Sequence, residues 1–465
     1  MNAPIPARAF QAALSRPGIA ELRHLPGEDG LTHLPYYDTV RFLTDPLAQT
    51  KRSYARYGPV FRVNQFGGWS AVLIGPEANE LVVFDRAQNF SSAGGWGPIL
   101  NRLFPRGLML LDFDEHRAHR RALGLAFKPE PMRAYADALN AGIAARIAEW
   151  RAAGGMRVYP AVKQLTLDVA ATAFLGIPWG PEAAKINRAF VDMVQAAVGV
   201  VRSPVPGTKM ARGVAGRRFL LELFARELPA RRGSDAPDMF TQLCNAPGED
   251  GALLNETTIL DHIVFMMMAA HDTLTSSLTM LVHYLARAPE WQARIAAEIA
   301  AARAGVGEML PIDRLDLLPL TDMAFKEALR LNPPVPSVPR RALRAFEFGG
   351  QHIPAGTHIG VNPMLTHRLP EHWPDPDRFD PDRFTPEAIR ARHKYAWVPY
   401  GGGAHMCIGL HYASMQAKIF AFHLFGTASV APDGPPPKMQ LFPMPKPKDG
   451  LPVRLIPLEA ARRGA

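Results

Sequence analysis

The stretch Tyr400-Gly401-Gly402-Gly403-Ala404-His405-Met406-Cys407-Ile408-Gly409 is the one around which the rest of the chain is organised. A cysteine follows a run of glycines, just before a segment with helical character, Leu410 to Phe425. Glycine has no Cβ, so its backbone can turn tightly and lie flat against a large planar object. A thiolate is a nucleophile or a metal ligand, and nearby N–H groups stabilise it. A glycine-rich surface turn holding a buried, inert cysteine has the same local signature. The rest of the chain has to decide between the two.

The chain has 465 residues, 48% hydrophobic and 20% charged, an ordinary globular composition with enough apolar residue for a large core. Length alone gives a prior of about three domains. No linker divides the chain, however, and one unit over residues 1–465 is expected, with an irregular segment at 1–45. Lys and Arg total 52 against 43 Asp and Glu, so the net charge is +9. No dense basic run with interleaved aromatics accompanies it, so nucleic acid is not an expected partner. Two cysteines, Cys244 and Cys407, exclude a disulfide framework and a multi-cysteine zinc site. Such low usage fits a reducing cytosol, and a cytoplasmic monomer is expected. Met1 to Glu28 has no continuous apolar run and reads as neither signal peptide nor anchor. The apolar stretch Ile263 to Ala270 is too short to span a bilayer.

Along the chain, Val60-Phe61-Arg62-Val63 and Ala71-Val72-Leu73-Ile74 flank Gly67-Gly68 and predict a hairpin. Phe90 to Gly97 reads as a loop of small residues carrying Trp96. A helix is expected to begin at Asp112, with acids in its first turn. It puts His116 and Arg120 on one face, either to bind an anion or as a solvated basic face. Helical patterns dominate from 130 to 335. Asn255 can cap a helix reaching about Arg287, roughly 50 Å long at ~1.5 Å per residue. Its apolar middle, Phe265-Met266-Met267-Met268-Ala269-Ala270, turns abruptly polar at His271-Asp272-Thr273. A carboxylate inside a buried helix is costly unless it is used. Thr273 either serves a site or bonds back to a carbonyl of its own helix. Glu327 and Arg330 stand three apart and can pair, by default on the surface. Short strands follow from Arg340 to Pro363, then the turn-rich Trp373 to Phe384.

Four features now stand in order: Asp272-Thr273 on a central helix, Glu327-x-x-Arg330, Pro381-Asp382-Arg383-Phe384, and the glycine-rich loop around Cys407. Together they resemble the cytochrome P450 family, over residues from about 50 to 455. Glu-x-x-Arg alone is a weak signal, but the ordered set of four is specific. Tyr400 stands where the family usually has Phe, and Ala270 where it often has Gly.

The resemblance implies a mostly α fold with small β-sheets, a triangular α-rich domain with a long central helix. It implies haem b with the Cys407 thiolate as axial iron ligand, the arrangement that the physical chemistry of haem ligation gives for this family. Tyr400, Gly401, His405 and Gly409 belong to that loop, and Ala269 and Ala270 to the opposite face. His116, Arg120, Arg340 and His405 match the positions that bind the propionates. Asp272 and Thr273 match an acid–alcohol pair that positions oxygen and delivers protons. Glu327, Arg330 and Arg383 match a structural triad. Trp96, Phe265, Met268, Val335, Val338, Phe442 and Met444 are placed along the substrate pocket. Their apolar character predicts a terpenoid, steroid, retinoid-like or fatty acyl substrate.

The implied activity is O2-dependent monooxygenation with electrons from a separate ferredoxin or similar donor. Arg117, Arg121 and Lys394 can form a docking face for it, or be ordinary surface charge. Two other readings keep the haem: a peroxygenase, which Asp272-Thr273 disfavours, and a ligand binder or sensor. A hydrolase is not expected, since the chain has no G-x-S-x-G nucleophile elbow.

Overall fold

The computed structural model of the protein describes residues 15–28, 34, 36–177, 181–197, 199, 201–248 and 251–458. Its centre is the helix Glu256–Leu285. The predicted cap is in place: the Thr258 N–H donates to Asn255 Oδ1 at 2.9 Å. A helix apolar on nearly every face must be surrounded. Around this one pack the helices Val158–Leu175, Lys209–Arg231, Pro319–Leu331 and Leu410–Phe425. The buried side chains of all these helices, Phe265, Leu278 and Phe425 among them, form the centre of the main core.

A five-stranded sheet stands beside the helices, in the order Val60–Gln65, Gly68–Leu73, His358–Val361, Val338–Ala342, Phe90–Ser91. The first two strands form the predicted hairpin, with Val60 opposite Leu73 and Gln65 opposite Gly68. Phe66 and Gly67 make its two-residue turn with φ of 51° and 80°, the sign such tight hairpins require. His358–Val361 runs parallel to Gly68–Leu73, and Val338–Ala342 antiparallel to it. Leu73, Val82, Val338, Ile359 and Val361 bury a second, smaller core against this sheet. The sheet presents Arg340 from its interior, while the main helical core presents Asp272 and Thr273.

Two expectations are corrected. The first is the irregular segment at 1–45. Within its described part, Ile19–Leu22 and Tyr37–Thr44 are helical, and Pro46 opens the helix Pro46–Tyr57. Proline breaks helices in their interior but suits the first position, where its missing N–H has no partner anyway. Asp45 completes that start by accepting from the Ala48 N–H at 2.9 Å. Residues 1–14 of the segment lie outside the described residues.

The second is the loop at Phe90 to Gly97, where Ser92–Leu100 is a helix. Ser91 caps it by accepting from the Gly94 N–H at 2.7 Å. Asp112 adds a carboxylate at the same end, taking Ser92 N–H at 2.7 Å, Ala93 N–H at 3.2 Å and the Ser91 hydroxyl at 2.6 Å. An anion on the first-turn N–H groups offsets the weak helix propensity of Gly94, Gly95 and Gly97.

Candidate haem site

The Cys407 loop is held by its own backbone. The Cys407 N–H donates to the Tyr400 carbonyl at 2.8 Å, and the Gly401 N–H to Val398 at 3.0 Å. Gly401 and Gly403 have φ of 69° and 58°, in the left-handed region that favours glycine. A Cβ on Gly402 would lie 2.5 Å from the Phe84 ring, and one on Gly403 would lie 2.7 Å from the Phe84 carbonyl oxygen. These two glycines therefore let the loop press against the chain at Phe84. A Cβ on Gly401 or Gly409 would have only distant neighbours, at 3.8 and 3.9 Å. The Cys407 residue keeps open surface, yet protein packs around its thiol. Burial pushes the thiol pKa up, while the Gly409 N–H and the Arg120 guanidinium act to lower it.

His116, Arg120, Arg340 and His405 come together beside this loop. The His116 and His405 rings lie 3.9 Å apart between centroids, tilted by 37°. Burial, with Arg340 and the neighbouring His116 and Arg120, pushes His405 down to about 2. His116 is pushed down to about 4 by burial, then by Arg120 and Arg340. Burial takes Arg340 to about 10, and its side-chain hydrogen bond goes to the adjacent Pro339 carbonyl at 2.9 Å. His116 Nδ1 is buried with no hydrogen-bond partner. Two desolvated guanidiniums held beside two neutral imidazoles repel one another, and carboxylates would offset that repulsion and pair the open His116 nitrogen. A thiol beside a cluster of donors for carboxylates suits a planar iron cofactor carrying two acidic side arms. The residues fit haem.

Further candidate residues lie on the central helix. It is buried along most of its length, but Met268, Ala269, Ala270 and Thr273 in its middle are only half-buried, and Ala269, Ala270 and Thr273 share one side. The Thr273 hydroxyl donates to the Ala269 carbonyl at 2.8 Å, so the back-bonded geometry weighed from the sequence is realised. Its lone pairs remain able to accept. Asp272 is buried, with Oδ1 3.0 Å from His271 Nδ1 and 3.5 Å from Lys163 Nζ. Both contacts are ion pairs to the same carboxylate oxygen. Burial raises the Asp272 carboxyl, but His271 and Lys163 outweigh it and hold the pKa below its ordinary value. Sequence reasoning missed Lys163, which comes from the helix Val158–Leu175; nothing local marks it as a partner.

Glu327 and Arg330 are fully buried, so the surface pair allowed by their spacing is set aside. Arg330 donates to both Glu327 oxygens at 2.6 and 2.8 Å. Its other N–H groups reach the carbonyls of His367, Pro376 and Arg378 at 2.8, 2.7 and 3.1 Å. Arg383 stands 3.6 Å from Glu327 and donates to Asp375 O at 3.0 Å, which brings all three residues together.

The pocket residues divide. Trp96 and Met268 pack, half-buried, on the core that contains Phe265. Phe265 lies tight against Gly107, where a Cβ would meet its ring at 2.2 Å. Val335 and Val338 belong to the sheet's core. The Phe442 ring is turned to Phe42 and Phe66, at 5.1 and 5.7 Å, so it is engaged with the N-terminal helix and the hairpin tip. Met444 is half-buried. Arg121 and Lys394 are exposed, and Arg117 pairs with Asp114.

A mostly helical fold around one long buried helix, with a cysteine loop beside a cluster of carboxylate donors, has the make-up of a haem enzyme. The sequence profile of the cytochrome P450 family matches residues 217–453. The chain is 37% identical over 417 residues to the putative cytochrome P450 136 of Mycobacterium tuberculosis, covering 87% of this chain and 83% of that protein. It is 29% identical over 430 residues to a beta-amyrin 28-monooxygenase of Solanum lycopersicum, covering 90% and 87%. The solved structure of retinoic acid-bound cyanobacterial CYP120A1 superposes with a TM-score of 0.83 at 28% identity, over 91% of this chain and 97% of that one. The chain belongs to the cytochrome P450 family and is an oxidoreductase of the monooxygenase type. No helix among the described residues is long and apolar enough to cross a membrane.

Proposed function

We propose that this chain hydroxylates or epoxidises a lipophilic isoprenoid-type molecule, a terpenoid or a retinoid-like compound. In this reading it uses haem b held by Cys407 and electrons from a separate protein. The observation that carries the reading is the gathering of His116, Arg120, Arg340 and His405 beside the Cys407 thiol. When bound, the haem supplies the reductive activation of O2, with thiolate donation favouring O–O cleavage.

The chain's own residues do the rest. Arg120 and Arg340 neutralise the carboxylate arms, and His116 and His405 hydrogen-bond them. The Gly409 N–H and Arg120 moderate the charge on sulfur. Thr273 presents hydroxyl lone pairs to the reacting face, its own proton being held on Ala269 O. Asp272 is kept ionised by His271 and Lys163, a buried carboxylate through which a proton can pass inward. Arg121 and Lys394 offer exposed positive charge to an acidic electron donor, a steering effect that salt weakens.

Support for the substrate class comes from the relatives' own names: one acts on beta-amyrin, and one was solved with retinoic acid. The half-buried Trp96 and Met268 agree with an apolar ligand. The test is a screen of terpenoids, retinoids, steroids and fatty acids by the shift in iron spin state, followed by product analysis with a ferredoxin. The reading predicts spin-state shifts and oxygenated product among the first two groups. A response confined to fatty acids contradicts the substrate class. Thr273→Ala should divert electrons from product to peroxide; unchanged coupling removes Thr273 from the oxygen-handling role.

A further inference from the structure

His367 is fully buried and matches none of the motifs in the sequence. Its main-chain carbonyl accepts from Arg330 Nη1 at 2.8 Å. Its ring bonds at both nitrogens. Val398 N–H donates to Nε2 at 2.9 Å, and Nδ1 lies 3.3 Å from the Arg330 carbonyl. A backbone N–H can only donate, so Nε2 must carry a lone pair. The remaining proton then sits on Nδ1 and is donated to Arg330 O. The ring is thus a neutral imidazole in one tautomer. Burial, then the Arg330 charge, pushes its pKa down to about 3, which keeps it so.

The hydrogen bonds continue from there. Val398, whose N–H binds the ring, accepts the Gly401 N–H on its carbonyl at 3.0 Å. One residue earlier, Tyr400 accepts the Cys407 N–H at 2.8 Å. An unbroken series of short links therefore runs from the buried Glu327/Arg330 pair, through the imidazole, to the main chain of the cysteine. Trp397 and Phe384, packed at 5.3 Å between ring centroids, flank the Val398 end.

We infer that His367 is a positioning residue for Cys407, coupling the Glu327/Arg330 pair to the cysteine loop through its Nδ1–H tautomer. This rests on the reading of Cys407 as the iron ligand. Without the ring acceptor, the buried Val398 N–H is left unpaired. A cost of that kind should raise local opening of the loop by about tenfold or more.

The test uses the haem-loaded protein, wild type against His367→Leu and His367→Gln. Gln can still accept from Val398 while donating an N–H. H367L is predicted to speed amide exchange across residues 398–407 by about tenfold. It should also lose thiolate ligation, read in the reduced CO spectrum, at least that much faster, with H367Q intermediate. Wild-type exchange and wild-type retention of thiolate in H367L would overturn the inference. Should H367L fail to fold, imidazole nitrogen NMR of the wild type decides: an Nδ1–H tautomer coupled to the Val398 amide is required, and an Nε2–H tautomer overturns it. A wild type with no thiolate-ligated form would defeat the Cys407 reading itself, while the exchange comparison would still judge His367.

Discussion

Replacing Glu327 by alanine is the sharpest test of how the core supports the cysteine side of the molecule. Glu327 is fully buried and accepts Arg330 Nε and Nη2 at 2.6 and 2.8 Å, and the Asp380 N–H at 2.9 Å. Its removal leaves the Arg330 guanidinium buried with three carbonyl acceptors but no counter-charge. Breaking a buried pair from one side costs about 3–5 kcal/mol. With about 2.1 cal/mol/K of unfolding entropy per residue, 465 residues give roughly 1 kcal/mol/K, so Tm should fall by about 3–5 °C. Differential scanning calorimetry reads this directly. The companion Glu327→Leu/Arg330→Met double variant removes both charges and should recover most of the loss. A Glu327→Ala protein melting within about 1 °C of wild type, or a double variant no better than the single, would refute a charge-based role for the pair.

Other outcomes follow from the same contacts. The Asp272 carboxyl lies below its unfolded value, so its contribution is present above about pH 3.9 and is lost as pH falls through the folded value. Lys163→Met should therefore separate from wild type in stability above about pH 4 and converge with it below. Gly402→Ala places a methyl 2.5 Å from the Phe84 ring at an extended φ of −170°, so its cost of about 1–3 kcal/mol should be purely steric. Phe84→Leu in that background should return part of it, measured by urea unfolding. His116 is depressed to about 4, so the haem-free protein should lose stability as pH falls from about 6.5 toward that value. In His116→Gln the acid-side slope should be shallower by one proton's share.

What the sequence made legible was local. The central helix carries its own cap at Asn255 and its own apolar middle, so its extent could be read almost to the residue. The hairpin at Phe66-Gly67 and the helix after Cys407 were equally self-contained. Even the back-bond of Thr273 is an i to i−4 contact, within reach of local reasoning. What escaped depended on partners distant in the chain. Ser92–Leu100 looks like a glycine loop until Asp112 folds over its first turn. Gly402 and Gly403 look reserved for a flat ligand until Phe84 fills the space against them. The ring contacts of Phe442 with Phe42 and Phe66 join segments far apart in the chain, which no local pattern marks. Lys163 and His367 have no motif around them; only the packing of helices and meander brings them to Asp272 and Val398.

The central claim is that Cys407 presents a thiolate to iron within a cationic cradle for the haem carboxylates. It is tested most directly by the absorption spectrum of the reduced, CO-bound protein. The account predicts the strongly red-shifted Soret band of thiolate-ligated haem, abolished in Cys407→His. A band at the position of thiol- or imidazole-ligated haem in the freshly prepared wild-type protein would contradict it.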